Sequence, residues 1–174
     1  MKSLLVLTLF LGTLNATLSL PKSFETSFVQ NITNDKGKTI EYQGEVVFQN
    51  MGQDLFKWSY TAPTQKEVCT DGIQLTVVDH DLEQVSTYLI QEGIDLKSIL
   101  DVAQPITTRD YKATYKDVEY LITLDGKSQL QKVVYVDNLD NKVKIVFSNM
   151  RYNGEIDSKR LECTAPQEYD ILKG

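Results

Sequence analysis

The amino-acid sequence predicts a mainly β protein built on one wide antiparallel sheet. Apolar and polar residues alternate with period two along most of the chain, as in residues 40–49, IEYQGEVVFQ. Turn-forming pairs such as Asp71-Gly72 and Asp125-Gly126 separate these stretches. Short connections make consecutive strands antiparallel neighbours. A sheet this wide must curl or close around its apolar face.

About eleven strands follow from this pattern. They are expected at residues 27–33, 40–49, 55–61, 66–70, 73–78, 83–89, 111–116, 119–124, 129–136, 142–149 and 159–165. Each has the length of an ordinary strand. A barrel of this size has an interior that its own side chains need not fill, and such folds commonly hold an apolar ligand.

Residues 93–105, GIDLKSILDVAQP, interrupt the strand pattern and predict a short helix. Asp95 is placed to cap its start and Pro105 to stop it. One helical stripe collects Leu96, Ile99, Leu100 and Ala103. This stripe needs a concave apolar surface to bury against. A second short helix could precede Phe24.

The first residues have the pattern of a secretory signal. Lys2 supplies a short positive region, an apolar run follows from Leu4 to Leu14, and cleavage is expected after Ala16 or Ser19. The run is shorter than the about 20 apolar residues of a membrane span. We therefore expect a signal peptide at residues 1–19 and a single exported domain at residues 20–174. The cleavage region lacks the cysteine that would carry a lipid anchor.

The acidic composition argues against some classes of partner. The net charge is −6 and the isoelectric point is about 4.8. Nucleic acids and anionic membrane surfaces attract Lys-rich and Arg-rich proteins, so neither is an expected partner.

Two cysteines, Cys69 and Cys163, leave two alternatives open. In an oxidising compartment they could form a disulfide, and the chain-entropy estimate for so long a loop is about 4–5 kcal/mol of stabilisation. The alternative is two buried free thiols, because the sequence does not show whether their Cα atoms come within reach.

The residues offer little for catalysis. The chain has one histidine, His80, and its neighbours Asp79, Asp81 and Glu83 suit a turn better than a metal site. The sequence carries neither a G-x-S-x-G nucleophile motif nor a phosphate-binding glycine loop. We expect no catalytic residue, no metal and no cofactor, and therefore no enzyme.

The stretch LFKWSYTAP, residues 55–63, places Phe56, Trp58 and Tyr60 on one face of a strand. Aromatic residues in this arrangement either fill a core or line a cavity. Period-two spacing alone does not distinguish the two.

Several motifs, taken in order, resemble one protein family. They are the F-x-x-x-F-x-Q pattern of residues 24–30, Gly44 at the start of GEVVF, LFKWSYTAP, CTDG at 69–72, DLEQV at 81–85 and APQEYDI near the end. Together, behind a signal peptide, they resemble the periplasmic outer-membrane lipoprotein carrier family, LolA.

The resemblance implies a half-open antiparallel β-barrel of about eleven strands, with one or two short helices acting as a lid over an apolar cavity. The cavity would shelter the acyl chains of lipoproteins in the periplasm. Cargo would come from an inner-membrane lipoprotein-releasing ABC transporter and pass to an acceptor at the outer membrane. The carrier would be a monomer without catalytic activity. The alternative is a lipid- or lipoprotein-sensing binding module with the same half-barrel.

The residues expected to line this cavity come from the apolar faces of four strands and the helix stripe. They are Val46, Phe48, Phe56, Trp58, Tyr60, Leu75, Val77, Tyr88, Leu96, Ile99 and Leu100.

The chain departs from the family pattern at two places. Many members carry an Arg-Pro pair before the F-x-W strand, and that arginine latches the lid. Here the loop reads QNMGQD, with Asn50 near the arginine position. Few residues lie between the expected cleavage site and Phe24, so the first lid helix of the family would be short.

Overall fold

The computed structural model describes residues 18–71, 73–89 and 96–173. The expected signal sequence, apart from its last two residues, therefore lies outside the described residues, as do Gly72 and the proposed cap Asp95. The strands are β1 (Ser23–Thr33), β2 (Thr39–Asn50), β3 (Asp54–Ala62), β4 (Lys66–Thr70), β5 (Gln74–Asp79), β6 (Gln84–Leu89), β7 (Gln104–Pro105), β8 (Asp110–Tyr115), β9 (Val118–Leu124), β10 (Leu130–Val136), β11 (Lys142–Tyr152) and β12 (Asp170–Lys173). One α-helix, α1 (Leu96–Asp101), and one 3₁₀ helix (Ser158–Leu161) complete the described part.

All twelve strands belong to one sheet. Their order is β12-β6-β5-β4-β3-β2-β1-β11-β10-β9-β8-β7. Two antiparallel meanders, β1–β6 and β7–β11, join where β1 pairs with β11, for example at Phe28 and Phe147. The sheet does not close, because β12 and β7 are its two edges. The predicted mainly β, half-open architecture is confirmed.

The sheet curls towards the face that carries Trp58 and Phe147. These residues lie on β3 and β11, three strand steps apart, which is about 14 Å in a flat sheet. Their ring centroids are nevertheless 6.2 Å apart. The face on which they meet is the concave face.

The concave face carries the main apolar core, here called the buried cluster. Its members are Phe24, Phe28, Val46, Phe48, Phe56, Leu96, Ile99, Leu100, Ala103, Tyr111, Ala113, Tyr120, Ile122, Leu124, Leu130, Val133, Val143, Ile145 and Phe147. They come from β1–β3, β8–β11 and the helical segment. The sequence alternation places them on one face, and the β1–β11 pairing brings both meanders into one core.

The helix on the concave face is shorter than the sequence predicts. Its described part spans Leu96–Asp101, and Leu96, Ile99 and Leu100 are buried as the stripe requires. Ala103 is also buried but follows the helix end. Pro105 lies in β7, where it pairs with Tyr111. Residues 18–22 are not helical, so a second lid helix before Phe24 is absent from the described residues.

The strand predicted at residues 159–165 is wrong. Residues 158–161 form the 3₁₀ helix, because Asp157 caps it by accepting a hydrogen bond from the Lys159 amide at 3.0 Å. The sequence analysis also missed β12, which pairs with β6 in parallel. Parallel pairing by a terminal strand gives no hairpin signal in the sequence.

Residues 154–173, the C-terminal segment, are fastened to the outer face of the sheet. Cys163 forms a disulfide with Cys69 on β4, with the Cα atoms 5.8 Å apart. The Lys57 ammonium donates to the Glu162 carbonyl at 2.8 Å, and the Thr164 amide donates to the Glu67 carboxylate at 3.2 Å. These contacts cover the side of β2–β5 that faces away from the core.

Gly44 is required where β2 and β3 approach each other. The register of the pair shifts between Gln43 and Gly44. A Cβ at Gly44 would overlap the backbone carbonyl of Ser59 and lie 2.9 Å from the Phe28 ring. The missing side chain lets the Phe28 ring pack over the strand.

We expect Gly44→Ala to lower the free energy of unfolding by about 2–3 kcal/mol, because the backbone at Ser59 cannot move aside cheaply. Gly126→Ala is the matched control, since a Cβ there meets nothing within 4 Å. Chemical denaturation of both variants measures the effect. Equal stabilities would contradict this account of Gly44.

Replacement of both cysteines, Cys69→Ser with Cys163→Ser, should lower the free energy of unfolding by about 4 kcal/mol. The disulfide joins positions 94 apart in sequence and so restricts the unfolded chain strongly. Denaturation midpoints of the variant and of the oxidised protein provide the measurement. An unchanged midpoint would show that the other contacts of the C-terminal segment are sufficient.

Candidate functional site

The concave face has two halves that differ in how well they are covered. In the filled half, the buried stripe of α1 belongs to the same cluster as the phenylalanines, and the helix lies against β8. Six of the predicted cavity residues belong to this cluster, namely Val46, Phe48, Phe56, Leu96, Ile99 and Leu100. Phe48 and Phe56 contact each other with ring centroids 4.4 Å apart. Here the protein supplies its own apolar contents.

The open half lies on β4, β5 and β6. Cross-strand pairing puts Val68, Val77 and Ser86 in one row and Thr70, Leu75 and Tyr88 in the next. Tyr88 is 38% exposed, and Leu75 and Val77 are partly exposed. These three predicted cavity residues lie outside the buried cluster. The open half is therefore an apolar strip that the described residues cover incompletely.

Trp58 lies between the two halves. It packs against the buried cluster, with its ring 5.0 Å from that of Phe28. It also pairs across the strands with Val68, the first row of the open half. A tryptophan at this boundary is in contact with both.

A further group of rings, here called the tyrosine cluster, consists of Tyr42, Tyr60, Tyr120 and Tyr135. The Tyr42 and Tyr60 rings are 5.8 Å apart, and those of Tyr120 and Tyr135 are 5.0 Å apart. The Tyr60 hydroxyl donates to the Gln30 side chain at 3.4 Å. These residues come from β2, β3, β9 and β10, so the cluster spans the concave face.

Burial controls the ionisation of this cluster. Loss of hydration raises the pKa of Tyr60 to about 12, and the neighbouring Tyr42 adds to the shift. Burial likewise raises the pKa of Tyr135, and the nearby Tyr120, Asp137 and Tyr60 add to that shift. Burial also raises the pKa of Tyr120. Tyr60, Tyr120 and Tyr135 therefore remain neutral phenols at neutral pH.

Asn50 does not take the place of the family's latching arginine in the described contacts. Its amide donates to the Asp54 carboxylate at 2.6 Å, and its carbonyl accepts from the Gly52 amide at 3.2 Å. Both bonds stabilise the β2–β3 turn itself. The described contacts that hold α1 include the apolar ones made by its buried stripe.

His80 lies away from the concave face. Its Nδ1 is 3.2 Å from the Tyr169 hydroxyl, in the C-terminal segment. Asp79 beside it accepts the amides of Asp81 and Leu82, which is the role of aspartate in a turn. The metal-type grouping among the described residues, Glu67 with Cys69 and Cys163, has both sulfurs in the disulfide.

A cavity of about 420 Å³ adjoins the β-bulge where β1 pairs with β11. Glu25 lies in it and accepts from Arg151 at 2.6 Å and from Arg160 at 2.7 Å. Glu25 is thus paired with two guanidinium groups. The lining mixes these charged groups with polar residues and with Val46 and Met150, so it is less apolar than the concave face.

Sequence reasoning missed part of the concave face. Gln30, Tyr42 and Val68 follow the same period-two alternation as the predicted residues, so the pattern could have included them. Tyr120 and Tyr135 are different, because they reach the same space as Tyr60 only through the β1–β11 pairing. No local pattern carries that information.

Within the described ranges, 18–71, 73–89 and 96–173, none of the helices combines the length and the apolar character that crossing a bilayer demands.

The fold and the concave face together define a half-open β-barrel with a partly uncovered apolar interior. Residues 19–164 match the family described as "Outer membrane lipoprotein carrier protein LolA". The chain belongs to this family.

Relatives of similar length support the assignment. The "Outer-membrane lipoprotein carrier protein" of Campylobacter jejuni is 32% identical over 172 residues, 99% of each chain. That of Wolinella succinogenes is 31% identical over 151 residues, 87% of each chain.

Solved structures share the fold. A "LolA superfamily protein" from Nitrosomonas europaea superposes with a TM-score of 0.53 at 12% identity, covering 84% of this chain and 93% of that one. An uncharacterised conserved protein from Thermus thermophilus gives a TM-score of 0.59 at 9% identity, covering 89% and 92%.

The raised pKa of Tyr60 predicts a loss of stability at high pH. An unfolded tyrosine ionises near pH 10, whereas folded Tyr60 keeps its proton to about pH 12. Between these values the unfolded state binds fewer protons, so the free energy of unfolding falls as the pH rises. Tyr60→Phe removes this contribution, and its stability should fall less steeply over the same interval. Denaturation at several pH values measures both slopes, and parallel slopes would contradict the assignment.

Proposed function

We propose that this protein is a periplasmic carrier that shelters the acyl chains of lipoproteins and moves them to the outer membrane. Membership of the carrier family and the names of the full-length relatives support this role. The observation that carries the proposal is the open half of the concave face, an apolar strip beside a fully packed one. The mature carrier would begin after the signal peptide at residues 1–19 and comprise residues 20–174.

In this proposal the first contacts of an acyl chain are with Leu75, Val77 and Tyr88, which the protein leaves partly exposed. Trp58 forms the border to the filled half. Deeper entry would bring the chain to Phe48 and Phe56, which lie in the same buried cluster as the stripe of α1.

The helix is the movable wall of the cavity. It buries three aliphatic side chains, and each contributes about 1.5–3 kcal/mol in a fully apolar site. An acyl chain that displaced the helix would rebury the apolar surface from which the stripe withdraws. One hydrocarbon therefore replaces another, and the net cost of opening is much smaller than the cost of exposing the core to water.

This exchange also limits how tightly cargo is held. Complete burial of a long acyl chain is worth more than about 10 kcal/mol, at about 0.8 kcal/mol for each CH₂. Displacement of the helix offsets part of this gain, so an acceptor with a better apolar site can remove the cargo. Delivery to the acceptor needs no energy source, and only loading by the inner-membrane ABC transporter does.

Tyr88 and Thr87 provide a matched test. They are neighbours on β6, both exposed, and they point to opposite faces of the sheet. Tyr88→Asp should weaken binding of an acyl probe at least tenfold, about 1.4 kcal/mol, because it puts a charge on the apolar strip. Thr87→Asp introduces the same charge on the outer face and should bind normally. Titration followed by Trp58 fluorescence gives both affinities, and equal affinities would place the site elsewhere.

Purification of the mature protein from periplasm tests the role directly. Mass spectrometry should find intact acylated lipoproteins bound to the unaltered protein and to the Thr87→Asp variant, and fewer on Tyr88→Asp. A protein that carries no lipoprotein under these conditions would contradict the carrier proposal.

A further inference from the structure

The concave face carries tyrosines as well as phenylalanines. Phe24, Phe28, Phe48, Phe56 and Phe147 lie in the buried cluster, as do Tyr111 and Tyr120, whereas Tyr60 and Tyr135 are partly buried and pack against it. Tyr60, Tyr120 and Tyr135 belong to the tyrosine cluster. If packing were their purpose alone, phenylalanine would serve better, since burying a hydroxyl costs free energy unless it finds a hydrogen-bond partner.

The protein provides few hydrogen-bond partners for the hydroxyls of this cluster. Tyr152, near Phe24, is a contrast, because its hydroxyl accepts a hydrogen bond from the Leu130 amide at 2.9 Å. Within residues 18–71, 73–89 and 96–173, the Tyr120 and Tyr135 hydroxyls have no comparable protein partner, and the Tyr60 hydroxyl has a long bond to Gln30. Among the same residues, the fully buried side-chain nitrogen or oxygen atom that lacks a hydrogen-bond partner is Gln49 Oε1. The Tyr120 and Tyr135 hydroxyls lack a partner among them as well but are not fully buried, so both still reach open space.

The position of the cluster connects it with the acyl-binding surface. Tyr60 follows Trp58 on the concave side of β3 and packs against the Phe28 ring at 5.2 Å. Tyr135 packs against the same buried cluster as Tyr60, and Tyr60 is near enough to contribute to the raised pKa of Tyr135. A chain lying along Phe28 and Trp58 would have its end among these hydroxyls.

The chemistry of the cluster favours an oxygen acceptor. A neutral phenol donates one hydrogen bond, so its natural partner is an oxygen with lone pairs. Burial raises the pKa of Tyr60 and of Tyr120, so both phenols keep the proton that they can donate. The Lys66 ammonium, 4.7 Å from the Tyr60 ring centroid, places a cation beside the cluster that also favours an oxygen acceptor. Carbonyl oxygens of acyl esters and amides are neutral acceptors at the polar end of a hydrocarbon chain.

We infer that Tyr60, Tyr120 and Tyr135 form a polar subsite that binds the carbonyl groups at the head of the acyl chains. This inference rests on the proposed function, because it assigns the polar end of the same cavity. The subsite would fix how far a chain enters and would distinguish acylated ligands from plain hydrocarbon. Such carbonyls occur both on a lipoprotein and on a free diacyl lipid.

The experiment compares ligands that differ in the carbonyls alone. Dioctanoylglycerol has two ester carbonyls, and dioctylglycerol ether has the same chain positions without them. Both are titrated against the mature protein and followed by Trp58 fluorescence. Two hydrogen bonds should make the ester bind about tenfold tighter than the ether. Equal affinity of the two ligands for the unaltered protein would overturn the inference, and no variant is needed for that result.

Variants assign the preference to the cluster. Tyr120→Phe combined with Tyr135→Phe should bring the ester-to-ether ratio close to one while the ether affinity stays within about twofold. Tyr169→Phe, which removes a hydroxyl from the outer face beside His80, should keep the full ratio. A full ratio in the double variant would overturn the inference. If the double variant unfolds, the ester-to-ether ratio of Tyr60→Phe is measured instead, and it should also fall.

A parallel pair of lipopeptides identifies the source of the carbonyls. The peptides carry two ester-linked or two ether-linked chains on an N-terminal cysteine. An ester preference in this pair assigns the subsite to lipoprotein cargo, and a preference confined to the glycerol pair assigns it to free diacyl lipid. Failure of every ligand to bind would instead overturn the proposed function, and the subsite with it.

Discussion

The pairing of β1 with β11 is the interaction on which the rest of the structure depends. It joins the first meander to the last over almost the whole length of two eleven-residue strands. Each meander alone is a sheet with one apolar face and nothing to cover it. Joined, they curl until rings from β3 and β11 touch, and the concave face becomes an interior. The buried cluster, the seat of α1 and the tyrosine cluster all exist because two strands more than a hundred positions apart in sequence lie side by side.

Local patterns therefore predicted much of the fold, and the failures have physical reasons. Ten strands were found from alternation and turns, because each of these signals depends on residues close in sequence. The strand at 159–165 was wrong, since the apolar residue Leu161 and Cys163 there serve attachment to the outer face and not a ladder. Of the candidate site, the alternation on β2, β3 and β5 was readable. What could not be read was which half the protein fills with its own helix, because that depends on contacts across the curled sheet.

The division of the concave face into a filled and an open half gives a simple physical picture of a carrier. A fully filled face would be an ordinary core and would admit nothing. A fully open face would leave a large apolar surface in water and invite aggregation. Here the helix stripe completes the buried cluster, while the strip on β4, β5 and β6 stays partly exposed and can begin an encounter. Entry can then proceed by replacement of one apolar surface with another.

The attachment of the C-terminal segment affects how readily other polypeptides can pair with the edges of the sheet. Exposed strand edges are templates on which other chains can pair, and an exported protein meets many unfolded chains in transit. Here one edge strand, β12, is four residues long and is held in place through the disulfide at Cys163, and the opposite edge, β7, has two residues. Neither offers a long template. The molecule can therefore present its apolar concave face to lipid while β12 and β7 offer another polypeptide only short strands to pair with.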